Sequence, residues 1–237
     1  MRTLIIPCAG KSTRYNTEIP KYLLKHPSGN MMVYESIQGL PLNFFDKIYI
    51  IVLRKHMIDN TLNDIKEQFR EYDNFNIFIL EKETSCSSES VYKCLKTENI
   101  KGEIYIKDSD CYFDVKQLRP NQVCIYSLND ADHIIPGNKS YVRRNRNNEI
   151  LSIIEKDVIS SEFCCGLYSF KSSDKFIKTF EELYNNISQD LYISHIIYRM
   201  LLDNERFYIN NAKNFVDWGT QKDWDMYNQY YKKKDNL

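Results

Sequence analysis

Short, unbroken runs of apolar, β-branched and aromatic residues recur through the first half of the chain: TLIIPC at 3–8, KIYIIVL at 47–53, FNIFIL at 75–80 and EIYIKD at 103–108. Runs of this length without polar alternation are what strands covered on both faces require. Between them the apolar spacing becomes helical. The segments are MVYESIQGL at 32–40, MIDNTLNDIKEQFREY at 57–72, and SESVYKCLK at 88–96. In the second of these Ile58, Leu62, Ile65 and Phe69 recur on one face. Strand and helix in alternation predict crossover connections and a mainly parallel sheet flanked by helices, with the functional loops gathered at the strand C-terminal ends.

Beyond EIYIKDSD the rhythm changes. Strand-like segments follow closely, QVCIYSL at 122–128, SYVRRN at 140–145, EILSIIEK at 149–156 and FCCGLYSF at 163–170, before helical spacing returns in DKFIKTFEELY at 174–184 and ISHIIYRMLL at 193–202. The second half therefore reads as mixed rather than parallel. No internal repeat, low-complexity linker or Pro/Gly-rich boundary divides the chain, so residues 1–237 are expected to form a single α/β domain.

Composition narrows the function. Equal numbers of basic and acidic residues, 32 of each, argue against a general nucleic-acid or membrane-surface binder, so any cationic site must be local. The first apolar run is interrupted by Pro7, and nothing approaches the roughly 20 apolar residues of a membrane span, so a soluble cytoplasmic protein is expected. The seven cysteines form no CxxC pair, and Cys164 and Cys165 have no neighbouring histidine to suggest zinc. They read as buried thiols. His26, His56, His133 and His195 are scattered without ligand spacing.

Local chemistry concentrates in IIPCAGKSTRYNTEIPKYLL at 5–24, where a buried strand gives way to a loop bearing Gly10, Lys11, Ser12, Thr13, Arg14 and Lys21. Glycine admits close backbone approach, the hydroxyls add donors, and the cations offer charge-assisted bonds to phosphate oxygens. A Walker-type loop is a poor match, because the upstream glycine is missing. Taken alone, the segment is equally a solvated surface loop. Asp108 and Asp110 lie two apart at the end of a strand, where both side chains would share a face and could meet a hard cation. Ser87 and Ser88 precede a helix and could cap it.

Four segments occur in an order that carries more weight than any one of them. These are Ala9-Gly10-Lys11-Ser12-Thr13-Arg14 with Pro20-Lys21; IKDSDCYF; IIEKDVISSEFCCGLYSF; and FVDWGTQKDW. Together they resemble the sugar-phosphate nucleotidyltransferases, or pyrophosphorylases, of GT-A-like (Rossmann-like) fold, and the resemblance extends over nearly the whole chain. The usual glycine-rich run is here reduced to Gly10.

The resemblance implies a site. Arg14 and Lys21 would be the catalytic cations on the triphosphate. Ala9, Gly10, Lys11, Ser12, Thr13, Ser88 and Asp108 would contact the nucleotide, and Asp110 and Asp217 would hold Mg²⁺. Lys156 would meet the acceptor's phosphate, with Glu155 and Gly166 beside it. Tyr112, Phe113, Trp218 and Trp224 read as core or pocket wall, with an aromatic cage for a cationic acceptor as a further use.

The expected reaction joins a nucleoside triphosphate, with CTP favoured, to a phosphorylated small acceptor and releases pyrophosphate. The acceptor could be a sugar 1-phosphate, phosphocholine or another phosphate or phosphonate ester, in the service of bacterial surface-polysaccharide assembly. The expected partners are these two ligands only, with neither nucleic acid nor membrane; a homo-oligomer is compatible with the sequence. Two alternatives stand. DSD at 108–110 also satisfies the Asp-x-Asp motif of GT-A glycosyltransferases, although such enzymes have no use for a triphosphate loop. A non-catalytic nucleotide-binding regulator is the other.

Overall fold

The computed structural model describes residues 1–10, 14–186 and 190–234, with side chains through residue 231. Its main sheet runs in the order β10-β6-β9-β4-β1-β2-β3, with a β7–β8 hairpin attached through β9. The parallel half is β1 (Arg2–Pro7), β2 (Lys47–Leu53), β3 (Phe75–Leu80) and β4 (Glu103–Lys107). β1 pairs in parallel with both β2 and β4. The chain thus steps outward from β1 to β3 and then returns to the other side of β1. That reversal opens a crevice at the C-terminal ends of β1 and β4, the place where open α/β sheets bind ligands.

β1 shows why these runs are continuously apolar. Ile5 packs into one buried cluster with α3 (Ser87–Thr97), α4 (Ser173–Tyr184) and α5 (Ile193–Leu202). Leu4 and Ile6 point into the opposite cluster, which includes Ile65 of α2 (Thr61–Gln68) and Phe69 just beyond it. The sheet has no solvent face here, so polar alternation would bury unpaired groups. α5 buries Ile193, Ile196, Ile197 and Met200, one stripe at helical spacing.

In the mixed half β9 (Glu162–Phe170) runs antiparallel between β4 and β6 (Gln122–Ser127). β7 (Ser140–Arg144) and β8 (Ile150–Glu155) form the hairpin, and β10 (Tyr208–Asn211) pairs in parallel with β6. A separate two-stranded sheet joins β5 (Cys111–Asp114) to β11 (Lys213–Asp217) in antiparallel register, with Cys111 opposite Asp217. The chain closes with α6 (Gln221–Lys234).

Several sequence expectations shift. The helix expected over 32–40 is only α1 (Met32–Glu35). Turns follow from residue 36, Gly39 packs so closely that a Cβ there would lie 2.1 Å from the Phe113 carbonyl oxygen, and Leu40 precedes a proline, which disfavours helix. The helix expected over 57–72 contracts to α2; Asp59 is left-handed at φ 47° and Ile58 is 64 % exposed, so it leaves the apolar face. The α3 N-terminus is not capped by a serine. Glu89 instead accepts from the Ser85 amide at 2.7 Å, behind Cys86. All seven cysteines are free, and six are buried. Among the described residues no helix is long and apolar enough to cross a membrane.

Candidate active site

The crevice at the strand ends is a cleft of about 560 Å³. Loops after β1, β4, β8 and β11 and the start of α3 all reach it, which brings together residues far apart in sequence.

The loop after β4 is fixed from beneath by Lys107. Its ammonium is fully buried and donates to the Asp108 carbonyl at 2.7 Å and the Cys111 carbonyl at 2.8 Å, and it lies 4.6 Å from the Phe113 ring centroid. A lysine can be buried this way only if its charge is satisfied, and here carbonyls at both ends of the loop do so. The loop between them projects Asp110 into the cleft. Gly166 sits against it at φ +94°, and a Cβ there would come within 2.8 Å of Asp108 Oδ2; its carbonyl accepts from the Asp108 amide at 2.8 Å. Burial and the neighbouring Asp110 push the Asp108 carboxyl up to about 6.

Asp110 and Asp217 are brought side by side by the β5–β11 ladder, and the Trp218 amide donates to the Asp110 carbonyl at 2.8 Å. Tyr15 binds the Trp218 carbonyl through its hydroxyl and draws the β1 loop onto the same corner. Lys21 is ion-paired with Asp110 Oδ2, and Arg14 lies 3.7 Å from that oxygen. Burial works against the charge on Asp110, yet Lys21, Arg14 and Lys139 hold its carboxyl well below the usual carboxylate range. Lys139, at the base of β7, pairs with Asp217 Oδ2 at 2.6 Å, while Asp217 Oδ1 accepts from the Gly219 amide at 3.0 Å. Burial acts to lower the Lys139 ammonium, but Asp217 outweighs it and the net shift is upward.

At the other end, Glu155 Oε2 accepts hydrogen bonds from the Ser140 and Ser194 hydroxyls. Lys156 donates to the Tyr192 hydroxyl at 2.5 Å and lies 4.4 Å from that ring's centroid. Its own backbone is left-handed at φ 57°, and its amide donates to the Lys139 carbonyl at 3.0 Å.

The cleft therefore collects Ala9, Gly10, Arg14, Lys21, Asp108, Asp110, Glu155, Lys156, Gly166 and Asp217. Among the described residues nothing lies within 4 Å of a Cβ built on Gly10, so their packing does not demand glycine there. Ser88 does not line the cleft: it is fully buried, and its hydroxyl donates to the Leu191 carbonyl, while Ser85, Cys86 and Ser87 occupy the wall. Lys11, Ser12 and Thr13 lie outside the described residues. Tyr112, Trp218 and Trp224 join Tyr15 in an apolar cluster with Met32, and Phe113 belongs to the main core, so none of them forms an open cage. Sequence reading missed Lys139, Ser140, Tyr192 and Ser194. None carries a motif: the β7–β8 hairpin delivers Lys139 and Ser140, and the start of α5 delivers Tyr192 and Ser194.

Among the described residues no group of three or more acidic, histidine or cysteine side chains could by itself hold a metal. Two carboxylates do converge. A Cβ built on Gly219 would stand 3.0 Å from Asp217 Oδ1 and 3.8 Å from Asp110 Oδ2, so glycine keeps open a space that both oxygens border. Mg²⁺ takes one or two protein carboxylates and completes its octahedron with phosphates and water, so this donor set fits it.

No protein-family model matches the sequence, and no curated protein matches it. Solved structures do. A nucleoside-diphosphate-sugar pyrophosphorylase from Vibrio cholerae superposes with a TM-score of 0.80 at 18 % identity, over 95 % of this chain and 99 % of that one. An inositol-1-phosphate CTP transferase from T. maritima gives 0.75 at 13 %, over 96 % and 95 %. A UDP-glucose pyrophosphorylase complexed with UDP-glucose gives 0.74 at 14 %, over 99 % of each. The fold is the Rossmann-like, mainly parallel α/β fold of the nucleotidyltransferases, shared over essentially the full length of the chain.

Proposed function

We propose that the protein is a nucleotidyltransferase that joins a nucleoside triphosphate, with CTP favoured, to a phosphorylated small-molecule acceptor and releases pyrophosphate. One observation carries this reading: Arg14 and Lys21 converge with Asp110 and Asp217 at one end of a single cleft whose other end holds Glu155 and Lys156. The pyrophosphorylase and CTP-transferase names of the structural neighbours support the class.

The chemistry follows from the charges. An oxygen of the acceptor's phosphate attacks the α-phosphorus, the new O–P bond forms, and the bond to the β-phosphate oxygen breaks with its electrons leaving on pyrophosphate. Two anions must approach each other, so the chain's task is positioning and charge neutralisation. Arg14, half exposed at the mouth, and Lys21, inside it, face the triphosphate. Lys156 faces the acceptor phosphate, and Glu155, oriented by two serine hydroxyls, accepts from the acceptor's hydroxyl or amine. Mg²⁺ held by Asp110 and Asp217 would offset charge on the phosphates. Gly10 itself, with no Cβ, lets a phosphate approach the backbone, and none of the described residues lies within 4 Å of where its Cβ would stand. Provision of activated precursors for surface polysaccharide in the cytoplasm is the setting we assign.

The test is incubation with Mg²⁺, the four ribonucleoside triphosphates, dTTP, and a panel of sugar 1-phosphates, phosphocholine and phosphonates. Pyrophosphate should appear only when a matching pair is present. Sugar transfer from a nucleotide-sugar without pyrophosphate, or binding without turnover across the panel, would overturn the proposal.

A further inference from the structure

Lys139 has no part in the sequence motifs, yet it occupies the most informative position in the cleft. Its ammonium is paired with Asp217 Oδ2 at 2.6 Å with only 16 % of the side chain exposed, and it lies 5.4 Å from the Phe215 ring centroid. Its carbonyl accepts the Lys156 amide at 3.0 Å, and the next residue, Ser140, is in register with Glu155 across the hairpin. The side chain therefore bridges the two ends of the site: the head group is on a donor-end carboxylate and the backbone is tied to the acceptor-end pair. Lys21, also deep in the cleft, is paired with Asp110 in the same way.

We propose that Lys139 is an exchangeable counterion that leaves Asp217 when polyphosphate enters and then binds the phosphate at the junction of the two substrates. This rests on the nucleotidyltransferase reading and adds a binding residue to it. An ammonium this enclosed is held by its carboxylate partner, and removing that partner leaves a buried charge that must find another anion. An incoming polyphosphate is the anion that the cleft admits, and a flexible four-carbon stem lets the head group move by an ångström or two without moving β7. Asp217 and the phosphate thus compete for the same three donor protons.

Competition makes a prediction that simple attraction does not. The probe is inorganic tripolyphosphate, titrated calorimetrically into metal-free protein, so neither base nor acceptor nor turnover enters. Asp217→Asn should tighten binding about tenfold by releasing Lys139, the size of one charge-assisted hydrogen bond. Lys139→Met should erase that gain in the Asp217→Asn background but cost only about threefold in the wild-type background, where the lysine is still shared with its carboxylate. Lys139→Arg should keep the gain. Lys178→Met, on the exposed surface of α4, removes the same unit of charge and should change little. Melting curves followed by circular dichroism confirm that each variant is folded.

Equal losses for Lys139→Met in both backgrounds, or a Lys178→Met effect of the same size, would overturn the exchange while leaving the nucleotidyltransferase reading intact. Absence of tripolyphosphate binding by any of the folded proteins, wild type included, would overturn both.

Discussion

The two ends of the cleft handle negative charge differently. At the donor end Asp110 and Asp217 each already have an ammonium, Lys21 on Asp110 and Lys139 on Asp217, with Arg14 at 3.7 Å from Asp110 as a third cation. At the acceptor end Glu155 is held by two neutral hydroxyls, from Ser140 and Ser194, while Lys156 turns to the Tyr192 hydroxyl and ring. Ion pairs can be exchanged for a better anion or cation when a ligand arrives. A carboxylate held by hydroxyls keeps its orientation. The first end suits a polyphosphate and its metal, and the second suits an acceptor whose polar groups must be read in a fixed geometry.

That contrast is most sharply tested at the donor end. Asp110→Asn and Asp217→Asn preserve shape but remove a charge from the proposed metal position, and each should lower turnover by about 10²–10³-fold or more in protein that is still folded. Full activity of either variant with Mg²⁺ would break the comparison. Arg14→Ala and Lys21→Ala should each cost about 10²-fold in kcat/KM, with Lys21→Ala the greater because that side chain is enclosed and Arg14 is half exposed.

Lys107 separates positioning from contact. Lys107→Met strands the Asp108 and Cys111 carbonyls beneath the loop, which should cost about 1–3 kcal/mol of stability per orphaned group, read from urea unfolding. If unfolding were unchanged, the loop that presents Asp110 would not depend on its buried ammonium. The smallest effect belongs to the acceptor end. Ser194→Ala removes one of the two hydroxyls on Glu155 and should raise the acceptor's KM several-fold, about 1 kcal/mol, while the nucleotide's KM stays put. Equal changes in both would show that the ends are not independent.

How much of this was legible in the sequence follows the same division. β2 and β3 were read to the residue because strands covered on both faces have a continuous apolar signature. β5, β10 and β11 were not, since each has only 4 or 5 residues and owes its extended form to its partner. β11 mixes exposed and half-buried positions, so it shows neither alternation nor a run. α6 escaped because its face toward His26 is aromatic rather than aliphatic, with Trp224, Tyr227 and Tyr231 packed around that imidazole. In the site, motif residues adjoining strand ends, Asp110 and Glu155, line the cleft. Lys139 and Ser194 reach it only through the β7–β8 hairpin and the packing of α5, and no local pattern marks them. Ser88 shows the converse. A hydroxyl near the start of a helix looked available, and packing turned it inward to the Leu191 carbonyl.

On the proposed function, one cleft holds a triphosphate at its cationic end and transfers the nucleotidyl group to a phosphate held at the other. Following the label answers it directly. With the matching donor labelled at the α-phosphorus, the radioactivity should appear in the acceptor conjugate; with the γ-phosphorus labelled, it should appear only in pyrophosphate. Label from the γ-position on the acceptor, or its release as orthophosphate, would mean phosphoryl transfer or hydrolysis and would rule out nucleotidyl transfer.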